Sequence, residues 1–123
     1  IARFALTLDQ ANDGDPVLAV GRQLRHMAAL SGSMLRNAVR AADEMDPGLA
    51  RNVLERDAEL DAEFAAALRL VMTYVLQDHR FLRPTIDTIF ALKGLERIGD
   101  HATNIAEQVL YMLGQDRQRA DAA

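Results

Sequence analysis

Apolar residues recur by threes and fours along most of this chain. Val17, Val20, Leu24, Met27, Ser31, Met34, Ala38, Ala41 and Met45 form one such series, and Leu95, Ile98, Ala102, Ile105, Val109 and Met112 form another. This is helical spacing. Projected at about 100° per residue, Val53, Leu54, Leu60, Phe64, Ala65, Leu68, Val71, Met72 and Val75 fill one broad sector of a further helix. The series are separated by clear punctuation. NDGDP (12–16) and MDPG (45–48) each place an Asp, Asp15 or Asp46, as N-cap before a Pro at the first helical position. QDHRFLRP (77–84) is a third break, and Leu113-Gly114 reads as a helix end. The pattern predicts helices near 16–45, 47–77 and 82–113, joined by short loops. An all-α, antiparallel three-helix bundle over residues 15–114 follows. A disordered polar tail is expected over 115–123. Gly21, Gly32 and Gly99 fall inside the helices, which suggests close helix approach or a slight kink.

Composition supports a single helical domain. Half of the 123 residues are hydrophobic and only 5% aromatic, which favours helix-on-helix packing over sheets. The net charge of −4 leaves no broad basic field for nucleic acid or anionic lipid. With no cysteine, disulfides and thiolate metal sites are excluded, and a reducing compartment fits. No apolar run approaches the roughly 20 residues that span a bilayer.

The acids carry the chemistry. In DAELD (57–61), Asp57 and Asp61 fall inside the apolar sector, away from Glu55, Glu59 and Glu63. Carboxylates there are costly unless something compensates. On the third helix Glu96, Asp100, Thr103 and Glu107 share a strip roughly 60° wide, with Asn104 beside it. Arg97, His101 and Gln108 point elsewhere, so the strip is expected to have no basic partner on its own helix. Asp57 with Asp100, and Asp61 with Glu96, mirror about one point near Asp78 and His79, where the hairpin turns. An antiparallel pair therefore brings these four carboxylates to similar heights. Such an oxygen-rich cluster suits Mg²⁺, Mn²⁺, Ca²⁺ or iron, with Zn²⁺ also acceptable. A single acidic pair one turn apart is ordinarily a solvated face; two pairs at matching heights are what raise the metal reading above that.

Catalysis finds little support. A di-metal oxidase of the ferritin type needs Glu-x-x-His pairs on its helices, and none occurs. His101 lies beside the acidic strip but reads as an exposed surface histidine rather than a phosphotransfer site, and neither His26 nor His79 is assigned a role. No nucleophile–base pair or Gly-rich phosphate loop is present.

RDAELD (56–61) followed by GLERIGDHATNIAE (94–107) resembles the PhoU family of phosphate-signalling regulators, over about residues 17–113. The resemblance implies two tandem three-helix bundles in a full member, each with two E/D-x-x-x-D motifs. Asp57 and Asp61 match the first motif of a bundle, and Glu96 and Asp100 the second. IARFALTL (1–8), beginning Ile-Ala like IAEQVLYML (105–113), resembles the segment after such a motif in a first bundle. Residues 1–12 are thus expected to be a helical remnant of a preceding repeat, in a fragment holding the second bundle. That remnant is expected to pack on this bundle or on a second copy. The family also implies a cytoplasmic regulator, not an enzyme. It works between a sensor histidine kinase and the ATPase subunit of the phosphate ABC transporter, reaches the membrane only through these partners, and is often a homo-oligomer. It implies metal bound at Asp57, Asp61, Glu96 and Asp100, with Asn104 and Glu107 as lesser candidates, the ion being iron, zinc, manganese or magnesium. The alternative is a metal-free helical interaction or oligomerisation module whose acidic strip attracts a basic partner.

Overall fold

The computed structural model describes residues 16–122, with side-chain surroundings for 18–114. The expected remnant at 1–12 and the Asp15 cap lie outside the described residues. Three helices account for nearly all the rest: α1 (Pro16–Glu44), α2 (Pro47–Gln77) and α3 (Leu82–Ala122), with a 3-10 turn at His79–Phe81 before α3. Each helix packs on the other two, up–down–up, and no strand occurs among the described residues.

The predicted breaks between helices hold. Asp46 caps α2, its Oδ1 accepting from the backbone N–H groups of Gly48 at 2.9 Å and Leu49 at 3.2 Å, with Pro47 next in line. The end of α1 is closed by Met45, which takes φ 51° so that the Asp46 N–H reaches back to the Ala41 carbonyl at 3.0 Å. That long-reach bond is the Schellman closure of a helix. At the second turn Asp78 ends α2 and starts the 3-10 turn. Its carboxylate accepts from the Arg80 backbone N–H at 3.0 Å and from the Arg80 guanidinium at 2.7 Å. This pair holds the Asp78 carboxyl below the usual carboxylate range.

One predicted boundary fails. α3 does not stop at Gly114 but runs on to Ala122, so the segment expected to be a disordered tail is helical to that residue. Glycine in a helix costs about 1 kcal/mol without terminating it. The following Gln-Asp-Arg-Gln-Arg-Ala stretch contains good helix formers and no proline.

In the expected α1 series Met45 is exposed and the surroundings of Val17 lie outside the described residues, but Val20, Leu24, Met27, Ser31, Met34, Ala38 and Ala41 are all buried. They meet Ala50, Val53, Leu60, Ala67 and Val71 of α2 and Ala91, Leu92, Leu95, Ala102, Ala106 and Val109 of α3. Met112, expected in the seam, is exposed. Close approach is real at Gly99, where a Cβ would collide with the buried Leu60 side chain. At Gly32 the nearest atom is the flexible end of Arg36, so close packing does not explain that glycine.

Candidate functional site

Gly99 under Leu60 sets the register of α2 against α3, and the acids follow from it. Asp57 is half-buried at the edge of the α2–α3 groove, and Asp61, one turn on, is exposed. The expectation that both sit within a buried apolar side is therefore corrected for Asp61. The apolar sector of α2 is wider than the stripe its neighbours cover, and half-exposed Met72 shares its uncovered edge. On α3, Glu96 and Thr103 are half-buried, while Asp100, Asn104 and Glu107 are exposed. The Thr103 hydroxyl donates to the Asp100 carbonyl at 2.9 Å and is spent within its own helix.

Burial pushes the Asp57 carboxyl up, and then the charges of Asp61, Asp100, Glu107 and Glu96 push it further. Asp57 thus feels negative charge from its own helix and from three positions on the next. Nothing comparable draws Asn104 into this group.

The strip is not without a basic partner. Lys93, one turn before Glu96, places Nζ 3.3 Å from Glu96 Oε1. The same ammonium lies 5.0 Å from the centroid of the Phe64 ring on α2, within cation–π range. The corrected expectation overlooked an i,i+3 pair, a spacing at which helix side chains meet. The Phe64 contact had no signal in either helix alone. His101 is exposed, as expected, and His79 is exposed in the 3-10 turn. His26 faces Glu63 across α1 and α2 at 3.4 Å, and Glu63 also accepts from Gln23.

The donor set suits a hard cation in its chemistry: carboxylate oxygens from two helices, crowded enough to raise one of their own. As the side chains stand, no three acidic or histidine groups among the described residues lie within reach of one metal ion. Ligation would need the exposed acids to turn inward, which α-helical surface carboxylates do readily.

An all-helical bundle with paired acidic motifs on its second and third helices defines the class. The PhoU domain family model matches residues 24–109, and the chain belongs to this family. It is 43% identical over 102 residues to the phosphate-specific transport system accessory protein PhoU homolog of Xylella fastidiosa (strain Temecula1), covering 83% of this chain and 42% of that protein. To the homolog of the same name in Rhizobium meliloti it is 39% identical over 93 residues, or 76% of this chain and 39% of that one. The crystal structure of PhoU from Pseudomonas aeruginosa superposes with a TM-score of 0.77 at 36% identity, over 93% of this chain and 53% of that chain. The chain spans less than half the length of these two homologs. Among the described residues no helix is long and apolar enough to cross a membrane.

Proposed function

We propose that this chain is a regulatory unit of phosphate-specific transport whose α2–α3 groove binds a divalent ion or a multinuclear metal cluster. Family membership supports the regulatory half, since the relatives are named accessory proteins of that system. What supports the metal half is the donor set itself, Asp57 and Asp61 on α2 beside Glu96 and Asp100 on α3, with Asp57 half-buried and crowded by its acidic neighbours. Asp57, Asp61, Glu96 and Asp100 would hold the ion, with Asn104 and Glu107 at the margin. Iron, zinc, manganese and magnesium all accept such oxygen donors. The bound ion would supply positive charge, drawing α2 and α3 together at the groove and changing the surface offered to partners. By family resemblance those partners are the sensor histidine kinase and the ATPase subunit of the phosphate ABC transporter, met in the cytoplasm by a homo-oligomer acting through contacts rather than catalysis.

One pair of observations favours a second reading. Glu96 already has a cation in Lys93, and the acids do not converge as they stand. Both suit a metal-free acidic strip that attracts a basic partner. Metal analysis of protein purified without chelator separates the two. The wild type should retain metal, and Asp61→Ala and Asp100→Ala should each lose most of it. Equal, negligible metal in all three samples sinks the metal site and leaves the interaction module.

A further inference from the structure

Five of the nine exposed large hydrophobic side chains among the described residues lie at one end of the bundle, so the bare apolar surface is concentrated there. Met72 and Leu76 stand one turn apart near the end of α2, and Leu82, Ile86 and Phe90 follow at every fourth residue from the start of α3. Projected at about 100° per residue, both rows lie on the outer flank of the α2–α3 groove, beyond the acidic positions. These side chains are 48–80% exposed. Together they leave on the order of 500 Å² of apolar surface bare, the upper range for a monomer's largest patch and the mark of a binding surface.

The chain that leads into α1 is the occupant in reach. The helices run up–down–up, and α1 and α2 have 29 and 31 residues, so Pro16 stands at the same end as the α2–α3 turn. Residues 1–15 therefore join the bundle at the end that carries the patch. IARFALTL (1–8) places Ile1, Phe4, Ala5 and Leu8 at helical spacing, with Arg3 and Thr7 opposite them. Eight helical residues measure about 12 Å, the same as the rise from Leu82 to Phe90. DQANDGD (9–15) follows, a stretch that reaches about 23 Å when extended. That is enough to cross the end of a bundle whose axes lie about 8–10 Å apart. Asn12, Asp13 and Gly14 suit the reversal that this path needs.

We propose that residues 1–8 dock as an amphipathic segment on the patch formed by Met72, Leu76, Leu82, Ile86 and Phe90. Of the two sites expected for this segment, its own bundle and a second copy, the position of Pro16 selects the first. Docked there, the segment runs antiparallel to α1, covers the α2–α3 hairpin end and denies that face to a second copy.

The test uses the full chain, in which an introduced cysteine is unique. The Ile86→Cys thiol should react with a bulky maleimide about tenfold more slowly in the otherwise wild-type chain than after Phe4→Asp and Leu8→Asp are added, as for a segment docked roughly nine-tenths of the time. Ile86 is 48% exposed, so its replacement leaves the core untouched. Equal rates overturn the proposal. Oxidation of a Leu8→Cys, Ile86→Cys pair supplies a second readout. A disulfide of single-chain mass, formed in a yield independent of protein concentration, supports docking within one chain. A disulfide joining two chains, rising with concentration, overturns it and assigns the patch to a second copy.

Discussion

Met45 carries backbone strain that its side chain does nothing to offset. At φ 51° and on the surface, it occupies the left-handed region, which costs an L-residue roughly 1–2 kcal/mol. The Schellman closure of α1 nonetheless requires that conformation. Met45→Gly should stabilise the fold by about 0.5–1 kcal/mol, after allowing for glycine's extra freedom when unfolded, and urea denaturation would show it as a higher midpoint at unchanged slope. Asp57 is the second residue with a measurable signature. Its carboxyl is raised, so the folded chain holds that proton more tightly than the unfolded one. The stability it contributes is intact below the ordinary carboxylate range and lost as pH rises through the raised value. At neutral pH with chelator present, Asp57→Asn should therefore stabilise by a few tenths to about 1 kcal/mol, the range of exposed charge pairs. The gain should vanish in strong acid and shrink in molar salt. A variant less stable than wild type at neutral pH would contradict the like-charge account.

Between elements, the decisive contact is Gly99 against Leu60. A methyl at Gly99 would meet the buried Leu60 side chain, whereas one at Gly94 would meet nothing within 4 Å. The two glycines lie on one helix, so a single substitution type separates helix propensity from packing. Gly94→Ala should stabilise by about 0.5–1 kcal/mol. Gly99→Ala should destabilise by about 1–3 kcal/mol, the range for an overfilled core, and thermal melts of the two variants should move in opposite directions. This contact also holds the acidic residues of α2 and α3 in register, so Gly99→Ala should disturb the groove as well as the core. The helix ends divide by how local their causes are. Asp46–Pro47 and Asp78 stop and start helices through bonds to their immediate neighbours, which residue type and order reveal. Gly114 has the right residue type, but no closing turn forms there and α3 continues.

Across the whole molecule, apolar period and surface cover part company at the α2–α3 hairpin end. Leu82, Ile86 and Phe90 recur every four residues on α3, with Leu76 near the end of α2, yet Leu76 is 80% exposed and Phe90 73% exposed. A three-helix bundle covers only one stripe of each member, and a helix with a broader apolar sector leaves its margin outside. The same margin holds Asp61 and Met72, which is why the sector containing both Asp57 and Asp61 was legible while their different burial was not. The order of helices, their breaks, the buried series of α1 and the matching heights of the two acidic motifs were all determined by the sequence alone. Each depends on residues close in sequence, or on simple reflection about a turn. Only the tertiary structure decided that Lys93 bridges Glu96 and Phe64, that Asp57 is half-buried among like charges, and that Gly99 admits Leu60. Periodicity says which face of a helix is apolar; the approach of a second helix decides which edge of that face is covered and which charges are left to meet there.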